Sequence, residues 1–199
     1  MKILLIGASG TVGSAIEREL GSRHEIVRIG RNSGEERVDI SDSASIHAMF
    51  ERVGSFDALI CAAGSVKFVP LADMTETDFV LGLQDKLMGQ VNLLLIGKTF
   101  ANDGASFTLT SGILSQEPIL SGISASLVNG AIDAFVRAAA IELPRGMRVN
   151  SVSPTVLLES MSKYGAYFRG FKPVPAADVA LAYAKSVEGL HTGQTYQVL

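Results

Sequence analysis

The stretch Ile3-Leu4-Leu5-Ile6-Gly7-Ala8-Ser9-Gly10-Thr11-Val12-Gly13 decides the fold. Its first four residues are a short, wholly apolar run closed by glycine, the pattern of a strand buried on both faces. From Thr11 to Leu20 the apolar positions are Val12, Ala15, Ile16 and Leu20, a spacing that predicts a helix. Three glycines in GxxGxxG spacing therefore sit at a strand-to-helix turn. Glycine lets the backbone bend sharply and lets a diphosphate approach with no Cβ in the way. Amides at the helix start, aided by the helix dipole, can then hold the anion. The same glycines also suit a plain tight turn, but their place directly after a buried strand favours the cradle. Its candidate contacts are Gly7, Ser9, Gly10, Thr11, Val12 and Gly13.

Outward from this turn, further strands are predicted at Ile26–Ile29, Ala58–Ala63, Phe107–Leu109, Met147–Val152 and Gln194–Leu199. Asp42 caps a predicted helix that Gly54 stops. Thr75-Glu76-Thr77-Asp78 has capping-box form and opens a long helical region towards Phe100. Two more helices are expected over Ser124–Leu143 and, after Pro175, from Ala176 to Val187. Strands alternating with helices along residues 1–199 predict an α/β chain: a single Rossmann-type doubly wound parallel sheet with helices on both faces.

With 47% hydrophobic and 19% charged residues, the chain has the composition of a folded protein, not a disordered one. The net charge is -3 and no run of Lys or Arg exceeds two, so no partnership with nucleic acid or an anionic membrane is expected. Ile3–Ile6 is too short for the apolar region of a signal peptide, and no apolar run approaches the ~18 residues of a membrane span. One cysteine, Cys61, cannot form an internal disulfide; the cytoplasm is the expected compartment. His24, His47 and His191 form no cluster, and no metal site is expected.

Several segments together resemble the short-chain dehydrogenase/reductase family, along nearly the whole chain. Besides the glycine turn, Val38-Asp39-Ile40 is similar to the segment whose aspartate contacts adenine. Cys61-Ala62-Ala63-Gly64 resembles the Asn-Asn-Ala-Gly strand end, and Thr110-Ser111-Gly112 the site of the catalytic serine. Arg148-Val149-Asn150, Val152-Ser153-Pro154, Pro175-Ala176-Ala177-Asp178-Val179-Ala180 and Thr192-Gly193-Gln194 resemble the C-terminal signatures. The resemblance implies a single dinucleotide-binding domain over residues 1–199, with Ala62, Ala63, Gly64 and Pro154 at the cofactor.

After the second strand the chain reads Gly30-Arg31-Asn32-Ser33. An acidic residue there would favour NAD. Glycine instead leaves room for a 2′-phosphate, a guanidinium can bind it in a fork, and Asn32 and Ser33 can add donors. NADP is the expected cofactor ahead of NAD, although the tetrapeptide also suits a polar turn.

The family delivers its proton from a tyrosine four residues before a lysine. Here Ile123 and Leu127 fall on those positions, and no Tyr-x-x-x-Lys exists anywhere in the sequence. Neither side chain can exchange a proton. Lys86-Leu87-Met88-Gly89 takes the place of the family's Asn-x-x-Gly segment, which directs Lys86 towards Ser111. A lysine among apolar walls has a lowered pKa and can act as an acid near neutrality, with Ser111 orienting a carbonyl oxygen. The plainer alternative is a surface lysine or an ion-pair partner of Asp85. Tyr164 and Tyr167, after Pro154, could also supply a phenol, or simply pack on the core.

Three functions stay open at this point. One is an NADP(H)-dependent oxidoreductase acting on an unidentified small molecule with a nonstandard proton source. A second is a dinucleotide-binding sensor without turnover. The third is a non-redox isomerase, lyase or cyclase reusing the pocket. Apolar residues such as Leu93-Leu94-Leu95-Ile96 on several faces of the central helices further suggest a homodimer.

Overall fold

A computed structural model describes residues 1–199. Seven strands build one sheet: β1 (Lys2–Ile6), β2 (Glu25–Gly30), β3 (Glu36–Arg37), β4 (Phe56–Cys61), β5 (Ala101–Thr110), β6 (Arg148–Pro154) and β7 (Thr195–Val198). Their order is β3-β2-β1-β4-β5-β6-β7 and every pairing is parallel. The helices are α1 (Thr11–Leu20), α2 (Ser43–Val53), α3 (Glu76–Leu81), a π-helical segment Gly82–Met88, α4 (Gly89–Gly97), α5 (Ile123–Glu142), α6 (Met161–Tyr164) and α7 (Ala176–Glu188).

The apolar run of β1 is explained by alternation across two covered faces. Ile3 and Leu5 point into the layer of α1 and α7, where they meet Ile16, Leu20 and Tyr183. Leu4 and Ile6 point the other way, into the layer of α2, α4 and α5 with Phe50, Leu93 and Ile132. The chain winds outward from β1 to β3 and then returns to β4 on the other side of β1. That reversal opens a crevice beyond the carboxyl ends of β1 and β4, where doubly wound sheets bind ligands. A smaller apolar cluster, including Ile113, Leu114, Val156 and Phe168, lies to one side of it.

The structure departs from the sequence expectations in three places. β3 has only two residues, too few for any pattern. β5 begins at Ala101, because the polar residues 102–104 loop out at a register shift opposite Phe56 and Ala58. The helix expected from Thr75 is capped as predicted, with Thr75 and Asp78 bonding each other's backbone. It is not one α-helix, however, since its middle adopts i→i+5 bonding. Such wide turns occur frequently at functional sites and leave no trace in hydrophobic spacing. Taken together, Glu76–Gly97 also reaches the length and mean hydropathy, 1.2, of a membrane span, which corrects the expectation that no stretch does. In the fold it is a layer of the sandwich, with Leu93 and Leu94 in the core.

Candidate active site

At the end of β1 the Gly7 amide donates to Ile29 O at 2.8 Å, and the Gly10 amide turns back to Gly7 O at 3.0 Å. Gly10 then caps α1 without any side-chain bond. The first bond to that cap comes from Ser14, which leaves the amides of Thr11, Val12 and Gly13 without intrahelical partners. Gly13 is where helix and loop touch: a Cβ there would lie 2.1 Å from Gly7 O and 2.8 Å from Ala8 Cα.

Beside this turn is a cavity of about 190 Å³, lined among others by Gly7, Ser9, Arg31, Ala63, Gly64 and Asp85. Arg31 donates to Asp39 Oδ1 at 2.8 Å and to Asp85 Oδ1 at 3.2 Å. Asp39 also accepts from the hydroxyl and amide of Ser41, and these bonds, with Arg31, hold its carboxyl below the ordinary range. The Ser33 hydroxyl donates to that of Ser9 at 3.0 Å, and both border a neighbouring hollow of about 350 Å³. Asn32 is exposed and lines neither space.

Ala62, Ala63 and Gly64 carry the chain out of β4, the Ala62 amide donating to Ile6 O at 2.9 Å. Gly64 has φ +127°, and the stem of Lys86 lies directly against it; a Cβ would come within 2.9 Å of three Lys86 carbons. The Lys86 ammonium donates to Ser111 O at 3.1 Å and to Asn129 Oδ1 at 2.7 Å. Burial of the ammonium pulls its pKa down to about 8. It is therefore neither a surface lysine nor the partner of Asp85, which belongs to Arg31.

Ser111 follows β5, and the strand end is fixed by neighbours. Gln90 clamps Thr110, donating to its carbonyl at 2.9 Å and accepting its amide at 2.7 Å. The Thr110 hydroxyl donates to Cys61 O and lies 2.5 Å from the Tyr183 hydroxyl. Ser111 itself is 3% exposed, and its Oγ has no hydrogen-bond partner. Ile123 and Leu127 occupy the first turns of α5 and are 37% and 46% exposed. Pro154 ends β6, and the amide of the next residue, Thr155, donates to Val198 O at 2.9 Å. Tyr164 and Tyr167 both lie against Phe68, at ring separations of 5.8 and 5.9 Å. Burial pushes the Cys61 thiol up to about 12, where it is inert. No group of three or more His, Cys, Asp or Glu side chains is placed to hold a metal ion.

Asp85 as a partner of Arg31, Gln90 and Asn129 escape a reading of the sequence alone. Asn129 does leave one signal: it interrupts the buried stripe of Ala125, Val128, Ile132 and Val136 on α5. A polar residue in such a stripe needs a partner.

The family model described as enoyl-(acyl carrier protein) reductase matches residues 12–189. No curated protein matches the chain. Among solved structures, the protein lin1944 from Listeria innocua is 51% identical and superposes with a TM-score of 0.99 over 100% of both chains. A small-chain dehydrogenase is 29% identical, with a TM-score of 0.86 over 100% of this chain and 95% of its own. Another, in complex with NADPH, is 27% identical, with a TM-score of 0.88 over 100% of this chain and 96% of its own.

Proposed function

The chain belongs to the short-chain dehydrogenase/reductase family, and from that premise we propose that it is an NADP(H)-dependent oxidoreductase whose proton comes from Lys86. The observation that carries this reading is the position of the Lys86 ammonium, 3.1 Å from Ser111 O and beside the glycine crevice.

The residues present suit a dinucleotide. The helix-start amides of Thr11, Val12 and Gly13 suit its diphosphate, and the glycines let the turn pack tightly on the backbone, where a Cβ on Gly7 would meet Ala62 O at 2.7 Å and one on Gly10 would meet Gly7 O at 3.3 Å. Arg31, Ser9 and Ser33 offer a cation and two hydroxyls for a 2′-phosphate, and no carboxylate stands at Gly30 to favour NAD. Asp39 is assigned to the adenine, and Ala62, Ala63, Gly64 and Pro154 to the rest of the cofactor, as the family resemblance implies; of these Ala63 and Gly64 line the cavity beside the glycine turn. When bound, the nicotinamide supplies or accepts the hydride.

This chain's own residues supply the rest. Two of the three ammonium hydrogens of Lys86 go to Ser111 O and Asn129, which hold the group in place. The third can go to an oxygen or nitrogen developing negative charge. The unpartnered Ser111 hydroxyl can donate to the same atom. Ile123 and Leu127, exposed at the start of α5, offer apolar surface and no proton. Those same side chains favour a second reading, a dinucleotide-binding sensor without turnover.

Fluorescence titration with NADPH, followed by a panel of small carbonyls and imines, separates the two. The redox reading expects saturable NADPH binding, weaker NADH binding, and turnover of at least one acceptor class. Binding without turnover across the panel supports the sensor. Failure of a folded chain to bind either nucleotide removes both, leaving a reused pocket.

A second copy of the chain is the proposed occupant of the groove between α4 and α5. This groove, about 320 Å³, is lined by Leu94, Leu95, Phe135, Ala138, Ala139 and Leu143 among others. Lys98 and Glu142 also line it, and neither is ion-paired within the chain. An isologous contact would bring them to opposite charges. Light scattering should find a dimer for the parent and a monomer for Ala138→Arg; a monomeric parent removes the proposal.

A further inference from the structure

We propose that Arg31 and Asp85 form a latch across the adenosine end of the crevice, and that a dinucleotide must open it to bind. This rests on the dinucleotide reading above and adds a residue, Asp85, that sets affinity without touching the hydride or proton path.

The two residues stand on opposite lips. Arg31 follows β2, on one side of β1, while Asp85 lies on the π-helical segment that follows β4, on the other. Both line the same cavity as Gly7 and Ala63, and they meet there at 3.2 Å. The glycine turn and the ion pair thus border one space, which a ligand on the turn has to share.

The two ends of the latch differ. The Asp85 carboxylate is fixed: the residue is 8% exposed, and its second oxygen accepts the Ser65 amide at 2.5 Å. Arg31 is the moving part, half exposed and anchored on its own lip by Asp39 at 2.8 Å. It can leave Asp85 and keep Asp39. Asp85 and Lys86 are consecutive on the π-helical segment and reach two different partners, Asp85 bonding Arg31 and Lys86 bonding Ser111 O.

Opening the latch leaves a buried carboxylate with one amide partner, which is unfavourable. Any dinucleotide bears this penalty, phosphorylated or not. Only a 2′-phosphate offers Arg31 a replacement anion. Arg31 therefore acts twice, with opposite signs: it obstructs every dinucleotide and rewards the phosphorylated one. Asp85 acts only in the obstruction.

Dissociation constants for NADPH and NADH in the parent, Asp85→Asn, Arg31→Ala and the double variant test this. Asparagine keeps an oxygen for the Ser65 amide, so the fold is retained. Asp85→Asn should tighten both nucleotides by about 3–10-fold, the removal of a closed state that competes with binding. Arg31→Ala should weaken NADPH by about tenfold or more and yet tighten NADH by about 3–10-fold. The double variant should bind NADH no more tightly than either single variant, because the latch can be removed only once.

Unchanged or weaker binding of both nucleotides by Asp85→Asn overturns the latch, as does NADH affinity that stays level or falls in Arg31→Ala. Should Asp85→Asn not fold, the NADH arm of Arg31→Ala decides alone. A parent chain that binds neither nucleotide overturns the dinucleotide reading and the latch with it. Binding that is intact but indifferent to these substitutions overturns the latch alone.

Discussion

Replacing Lys86 with methionine should lower turnover by about 10²–10⁴-fold, the usual contribution of a positioned acid, while NADPH affinity stays within a few-fold. Arginine at the same position separates chemistry from architecture. A guanidinium keeps the positive charge and can donate to Ser111 O and Asn129, but it does not give up a proton at any ordinary pH. Lys86→Arg should therefore bind NADPH and still fail to turn over. Full activity in either variant would remove Lys86 from the mechanism.

The pH profile carries the same information. Burial places the Lys86 pKa at about 8, and only the ammonium can donate. Reduction should proceed below pH 8 and fall as pH rises through it. An unburied lysine would hold its proton to about pH 10.4. A parent rate that stays flat from pH 7 to 10, with chemistry rate-limiting, would contradict the assignment.

The second large effect belongs to Gly13. An added Cβ would sit 2.1 Å from Gly7 O and 2.8 Å from Ala8 Cα, well inside van der Waals contact and against backbone. Neither partner can rotate away, so α1 would have to lift off the loop. Gly13→Ala should destabilise the chain by about 3 kcal/mol or more, at the upper end for overpacking. That lowers the Tm by roughly 6–12 °C for a chain of this size. Dinucleotide binding should be lost with it, since the amides of Thr11 and Val12 move away. Gly130 is the control. It lies within α5 and a Cβ there meets nothing within 4 Å. Gly130→Ala should raise stability by about 0.5–1 kcal/mol, the helix-propensity difference. Differential scanning calorimetry on the pair reads both signs.

Much of the fold was legible because its determinants are local. Ile3–Ile6 reads as a doubly buried strand and the glycines after it as a turn into a helix, so the first strand-turn-helix join is readable from eleven residues. The capping box at Thr75 likewise announces its helix from four. What could not be read depends on contacts between distant segments. The looped-out residues 102–104 of β5 answer to the register with β4, and the amide of Gly104 answers to Arg145 O, 41 positions away.

The site divides along the same line. The glycine cradle is written in one stretch, and Lys86 and Ser111 could be paired through resemblance. Arg31 looked free for a phosphate; nothing near it in sequence reveals the Asp85 partner 54 positions on. Asn129 likewise meets Lys86 only through the fold, 43 positions away in the sequence. Asn32 is exposed beside Arg31 and Ser33, as a donor on the rim of the crevice has to be.

The i→i+5 bonding of Gly82–Met88 has one more consequence. It amounts to a single additional residue wound into a helix, and one residue corresponds to about 100° of azimuth in ordinary α-helical winding. Deleting any one position there would let the rod regularise, with no loop to rebuild and no strand to re-pair. The flanking α-helical segments would keep their faces, because the wide turn absorbs the extra residue, and only the side chains inside the turn would change direction. Which side chains look into the cleft is thus governed by a length polymorphism of one codon, so that homologues differing by a single indel here could present different reactive groups from an unchanged scaffold.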